Sequence, residues 1–420
     1  MYDTVFKAAT TVVEGRVVVR DVGVRRGVIE KIGAITDAAA ALEVPCEGRL
    51  LMPGAIDLHA HLREPGGTRK EDIASGTAAA VSAGITTLLE MPNTNPPTIT
   101  RAALAEKVAI AKRTGHCNIR FFMALTARNL DELEQAMDDP GFAGIKVYLG
   151  STTGSILLTE FDPLTRALDR IPALFAFHAE LESVLLDHRD RVPDPQAGDH
   201  HRLRPPEAVV EGTRLVLGHA ATRGRRLHIC HLSAAGELAR LADATTGSRV
   251  TCEVTPHHLW FTHKDTAVKG NRLKVNPPVQ GPEDRKALRE ALKNGLIQAV
   301  ATDHAPHTVQ EKDRPYAKAP SGVPGLDVMA PCVLRLVQSG EIPLPRAFQV
   351  LCENPASIAG LSTKGRVEEG RDADLALWDL DATWTVQGKD LGSRCGWSPF
   401  EGETLAARPL GVWVGGERRV

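Results

Sequence analysis

From Pro53 to about residue 362, short apolar runs alternate with longer stretches rich in Ala, Leu and Glu. The apolar runs are too short for helices, and the longer stretches carry polar positions at helical spacing. In order, 54–58, 70–83, 85–90, 101–113 and 119–125 read as strand, helix, strand, helix, strand. Further strands are expected at 144–149, 173–178, 227–231, 250–254 and 299–303. Such alternation is the mark of α/β architecture, and eight strands with their helices fill the length of a closed barrel. A doubly wound open sheet is the rival. It is disfavoured because candidate site residues follow many different strands and do not gather at one crossover.

Outside this region the pattern changes. Residues 1 to about 50 hold β-branched pieces at 10–13, 17–24 and 28–32, punctuated by Gly15 and Gly27. After residue 362 a turn-rich stretch, 365–370, leads to short strands at 373–380 and 412–420. Chain ends of one domain often lie together, so these flanks are expected to pair. The expected fold is a TIM barrel over 53–362. A small composite β domain would be made from 1–52 and 363–420.

Composition narrows the function. With 420 residues, 43% hydrophobic and 24% charged, the chain reads as a soluble globular protein. Fifty Lys and Arg against 52 Asp and Glu leave a net charge of -2. That balance argues against nucleic acid or an anionic membrane as partner, but allows a small anionic substrate held by one local arginine. Met1-Tyr2-Asp3 begins no signal peptide, and no apolar run is long enough to span a bilayer. Seven dispersed cysteines without a CxxC pair suit a reducing, cytoplasmic setting.

The strongest local signal is Asp57-Leu58-His59-Ala60-His61-Leu62-Arg63. Period-two spacing puts both histidines on one face of a strand, where they can share a metal. Lys146, His178, His231 and Asp303 close or follow other apolar strands. A lone buried histidine is usually a satisfied core residue, but lysine is rarely buried without a partner. Carboxylation of Lys146 by carbon dioxide would make it a bridging carboxylate. Together these six residues form a ligand set for two divalent ions, Zn²⁺ by donor type, with Mn²⁺ or Co²⁺ as substitutes. Two adjacent ions would activate a water and polarise a carbonyl, which predicts hydrolysis or its reversal.

Other residues speak to the substrate. Arg63 can fork onto a carboxylate. Asn93, Asn276 and His307 lie in loops beyond strand ends, and Pro324-Gly325 can bring backbone groups to a ligand. The 150–155 loop, with Thr152 and Thr153, suits a cover over the pocket. Among the remaining histidines, His257 and His258 are expected either to support the site residues from behind or to be structural, and His200, His201 and His263 to face solvent.

The chain resembles the dihydroorotases, in the group that includes allantoinases and hydantoinases. The resemblance runs from residue 52 to about 402 and rests on five phrases. They are Asp57 to Gly66, Met91-Pro92-Asn93-Thr94, Ala301 to His307, Asn354-Pro355-Ala356 and Cys395 to Gly402. It implies that His59, His61 and Asp303 bind the more buried zinc, and His178 and His231 the second. Carboxylated Lys146 would bridge them, as in the lysine branch of the family; another branch has aspartate there. Arg63, Asn93 and His307 would hold the substrate carboxylate and ring amide, with Thr152 or Thr153 covering it. Multifunctional animal members carry Thr-Phe where this chain has Thr152-Thr153, so the apolar cover is smaller. The implied reaction is reversible cyclisation of N-carbamoyl-L-aspartate to L-dihydroorotate, with Asp303 moving the proton. A homodimer, able to dock with pathway enzymes such as a carbamoyltransferase, is the expected assembly. The rival activities are allantoinase and hydantoinase or dihydropyrimidinase. A catalytically silent scaffold is a further alternative, which loss of ligands would mark; none is lost.

Overall fold

The computed structural model describes residues 1–36, 39–152, 156–220, 224–244 and 249–420, and of residues 220, 243 and 244 only the backbone. The β-branched N-terminal run forms β1 (Tyr2–Val13), β2 (Arg16–Arg25) and β3 (Val28–Gly33), joined by tight turns. Gly15 and Gly27 sit in those turns at φ +74° and +76°, a region glycine enters without a Cβ clash. β4 (Ala40–Pro45) and β5 (Leu50–Pro53) follow, and both pair parallel to β1.

The barrel strands are β6 (Ala55–Ala60), β7 (Ile85–Glu90), β8 (Asn118–Ala124), β9 (Phe142–Tyr148), β10 (Leu174–His178), β11 (Arg226–Ile229), β12 (Val250–Val254) and β13 (Ala299–Val300). They run in sequence order as one parallel sheet. A parallel bridge between Ala60 and His304 brings the last strand back to the first. Side chains on both faces of these strands are buried, which is why they read as unbroken apolar runs. Helices cover the outside. α1 (Ile73–Ser82) is started by Asp72, whose side chain accepts from Ser75 N, and α2 (Arg101–Thr114) by Thr100. No described helix is long and apolar enough to cross a membrane.

The chain leaves the barrel into β14 (Leu375–Thr385), β15 (Thr404–Val414) and β16 (Glu417–Arg418). β14 lies antiparallel to β5, with Leu375 opposite Pro53 and Trp378 opposite Leu50. One mixed sheet therefore gathers strands from both flanks, as the pattern implied. Phe6, Val22, Leu51, Leu375 and Trp413 fill its own core. Trp378 faces the barrel, tight against Gly84, where a Cβ would come within 2.3 Å of the indole. The fold is a TIM barrel with a composite β domain.

Two details differ from the sequence reading and bear on the site. The expected strands 227–231 and 299–303 stop early, at Ile229 and Val300. His231 and Asp303 then adopt positive φ, +36° and +43°, so the chain bends where their side chains turn toward the barrel axis. Lys146 is not at a strand end but inside β9, two residues before Tyr148.

Candidate metal centre and substrate cavity

The site begins at the end of β6. Buried Asp57 accepts from His59 N at 3.1 Å, Thr302 N at 3.0 Å and Thr302 Oγ1 at 2.6 Å. It thereby fixes the last barrel strand against the first, and burial pushes its carboxyl up to about 7. His59 is the penultimate residue of β6, and His61 lies just beyond its end. His59 Nε2 and His61 Nε2 approach one oxygen of Asp303, at 3.4 and 3.0 Å.

Both rings are aimed by hydrogen bonds at their other nitrogen. Glu253 Oε1 accepts from His59 Nδ1 at 2.7 Å, and Asn93 Oδ1 from His61 Nδ1 at 2.5 Å. A proton held at Nδ1 leaves the Nε2 lone pair for a ligand. Glu253 also accepts from His228 Nε2 at 2.9 Å and from His231 N at 3.4 Å. It was not assigned a role from sequence. The available signal was its place in the apolar strand β12, the same oddity that singled out Lys146.

The second cluster lies across the barrel mouth. His178 Nδ1 and His231 Nε2 are 3.0 Å apart. Glu180 Oε2 stands 3.0 Å from His178 Nε2. Against its burial, Arg204 and His178 hold the Glu180 carboxyl down at about 2. Burial lowers His59, His61, His178 and His231 below the usual imidazole value, so their neutral rings can act as ligands. The His59 and His231 ring centroids are 5.2 Å apart, which joins the two clusters.

Lys146 Nζ is fully buried and donates to Cys230 Sγ at 2.9 Å. Burial keeps that thiol protonated by pushing it up to about 12. No acidic side chain pairs with Lys146 among the described residues. A buried ammonium beside a neutral thiol, amid four neutral imidazoles, is a costly arrangement. Carboxylation would remove the positive charge and supply two oxygen ligands. The chemistry of these side chains fits a divalent metal ion, and His59, His61 and Asp303 bring their donor atoms within 4.8 Å of one another.

His59, His61, Lys146, His178, His231 and Asp303 line a narrow cavity reached also by Arg63, Asn93, Tyr148, Thr152 and Asn276. Arg63 is 6% exposed and adopts φ +62°. Among the described residues its guanidinium has one long hydrogen bond, Nε to Pro306 O at 3.3 Å, and Nη2 lies 3.4 Å from His307 Nε2. No carboxylate pairs with it among the described residues. Tyr148 also escaped the sequence reading; its hydroxyl has no hydrogen-bond partner among the described residues.

Three expected substrate contacts sit differently. His307 is fully buried behind Arg63 and does not line the cavity. Its Nε2 donates to Ser321 O at 3.0 Å while Lys70 Nζ donates to its Nδ1 at 3.0 Å. Pro324 and Gly325 lie behind the wall, where Gly325 N donates to His304 Nδ1 at 3.2 Å. The wall is made by Ala305, Ser321 and Gly322 instead. Gly322, at φ +128°, packs so closely that a Cβ would meet Ala305 O at 2.6 Å, which brings this stretch to the cavity. Thr152 reaches the cavity, and Thr153 lies outside the described residues.

The other histidines divide. His257 and His258 are buried on a short helix, Pro256–Trp260, with His258 Nε2 bonded to Pro277 O at 3.1 Å. His201 and His263 are partly exposed and stack at 4.5 Å. His200 contradicts the expected solvent position, because it is buried beneath Tyr316 and against Asn276.

Comparison with known proteins agrees with this architecture. Residues 196–419 match the amidohydrolase family and residues 48–148 the dihydro-orotase-like family. A dihydroorotase of Bacillus cytotoxicus is 34% identical over 415 residues, covering 96% of this chain and 95% of its own. One of Bacillus cereus gives the same figures. Among solved structures, the L-hydantoinase (dihydropyrimidinase) of Arthrobacter aurescens superposes with a TM-score of 0.95 at 28% identity, covering 100% of this chain and 96% of its own. The dihydropyrimidinase of Brevibacillus agri gives 0.90 at 25% identity over 99% and 95%. The chain belongs to the amidohydrolase family. Within that family it is a cyclic amidohydrolase of the dihydroorotase-like kind.

Proposed function

We propose that the chain is a zinc-dependent dihydroorotase, interconverting N-carbamoyl-L-aspartate and L-dihydroorotate in cytoplasmic pyrimidine biosynthesis. In this reading His59, His61 and Asp303 would hold one ion and His178 and His231 a second, with N6-carboxylated Lys146 as a further oxygen ligand. Mn²⁺ or Co²⁺ suits the same nitrogen and oxygen donors. When bound, the ions supply Lewis-acid polarisation of the ring carbonyl and an activated water. Asp303, whose Oδ1 faces both imidazoles, takes the water's proton and delivers it to the leaving ring nitrogen. In ring closure Asp303 takes the proton of the attacking carbamoyl nitrogen and gives it to the departing oxygen, which leaves as water. Arg63 meets the substrate carboxylate, with Asn93 and Asn276 beside it and Thr152 at the mouth.

The observation that carries this reading is the Arg63 guanidinium. It is buried in the cavity wall and has no carboxylate partner among the described residues. An anionic substrate completes it, whereas an uncharged ring leaves it idle. The match to hydantoinases in shape supports a second reading, hydrolysis of hydantoin, dihydropyrimidine or allantoin rings. The test is turnover of dihydroorotate, hydantoin, dihydrouracil and allantoin by protein purified without chelator, with metal content measured on the same sample. Dihydroorotate is expected to be hydrolysed fastest, with about two ions per chain. Faster turnover of an uncharged ring would favour the second reading.

A further inference from the structure

Asn276 stands between the candidate substrate cavity and an outer, open hollow, and borders both. Behind it lies His200, whose Nε2 is 2.9 Å from both Asn276 Oδ1 and Val275 O. On its far side, His200 Nδ1 is 2.7 Å from the Tyr316 hydroxyl. Burial, with Arg204 and Lys274 nearby, lowers this imidazole to about 3, so it is neutral at neutral pH and carries one N–H.

The position of that proton follows from the partners. Val275 O can only accept, so His200 Nε2 is the donor. His200 Nδ1 is then an acceptor, and the Tyr316 hydroxyl donates to it. The shared Nε2–H also defines the Asn276 amide: its oxygen must face His200, because the reversed amide would set donor against donor. Tyr316 itself is held in place, since Lys274 Nζ donates to Tyr316 O at 2.8 Å and Ala319 O at 2.7 Å. The same segment continues into Ser321 and Gly322 of the cavity wall, and Gly322 N donates to Lys274 O at 2.9 Å.

We propose that His200, oriented by Tyr316, is a positioning residue that locks the Asn276 side-chain amide so that its Nδ2 amino group, and not its oxygen, is offered to the substrate. The wall at Asn276 therefore selects a ring carrying a hydrogen-bond acceptor there, a carbonyl or carboxylate oxygen, and rejects a ring N–H. This rests on the cyclic-amide reading of the cavity but not on the identity of the ring.

The test is a double-mutant cycle on the full-length, metal-loaded protein, using whichever ring amide the wild type hydrolyses fastest. His200→Ala is expected to raise KM about tenfold, the worth of one oriented hydrogen bond, with the loss falling on KM more than on kcat. In an Asn276→Ala background, His200→Ala should add little, because no amide remains to orient. His200→Gln keeps a donor and should recover most of the loss. Equal costs of His200→Ala in both backgrounds, or no recovery with His200→Gln, would overturn the proposal. If the ring hydrolysed fastest is not dihydroorotate, the substrate reading fails while the cycle still decides the role of His200.

Discussion

Replacing Arg63 with Met separates an anionic substrate from a neutral one. In the free protein the change costs little. The guanidinium is 6% exposed, and its hydrogen bond to Pro306 O is long at 3.3 Å, while Nη2 at 3.4 Å faces the N–H side of His307 Nε2 and gains no hydrogen bond there. No described ion pair is broken, and Met fills most of the volume, so stability should change by under about 1 kcal/mol. The bound state differs. A substrate carboxylate entering this wall would be buried without its counter-charge, a loss of about 3–5 kcal/mol. At ~1.4 kcal/mol per factor of ten, kcat/KM for dihydroorotate should fall by about two to three and a half powers of ten. For hydantoin or dihydrouracil the same substitution should cost less than about threefold, because no charge pair is lost. The assay is steady-state hydrolysis of both ring types by wild type and Arg63→Met, with thermal melts to confirm folding. Equal losses on charged and uncharged rings would refute the assignment of Arg63 to the substrate carboxylate.

Two other consequences are measurable. Glu253 accepts from His59, His228 and the His231 backbone, so Glu253→Gln should weaken metal binding about 10- to 100-fold in a chelator competition, with secondary structure unchanged by circular dichroism. His200 is lowered to about 3 in the folded protein, so the unfolded chain takes up its proton first and stability is lost as pH falls below about 6.5. His200→Gln lacks that group; between pH 7 and 5 urea melts should show it losing about 2 kcal/mol less than the wild type.

The fold was legible wherever burial on both faces left an unbroken apolar run. The strand at 85–90 was placed to the residue, and that at 119–125 to within one. β4 and β5 escaped because one is largely exposed and the other is four residues long, so neither carries a periodic signal. In the site, histidines and a lysine set in apolar strands announced themselves by contrast with their neighbours. Glu253 offers the same contrast in Val250–Val254. His200 could not be read, because a polar stretch looks solvent-exposed until Tyr316 closes over it. Pro324 and Gly325 have the backbone reach, yet Ser321 and Gly322 line the cavity, since the path of a loop depends on packing that no local pattern encodes.

The pairing of β5 with β14 places a seam between the earliest and the latest parts of the polypeptide. During synthesis β5 emerges long before its antiparallel neighbour, and until then its backbone amides and carbonyls on that side have no strand to meet. A chain cut short before Leu375 would keep that margin open permanently. Such a margin is a template for another extended chain, so a truncated product should clump through this sheet even if its barrel forms.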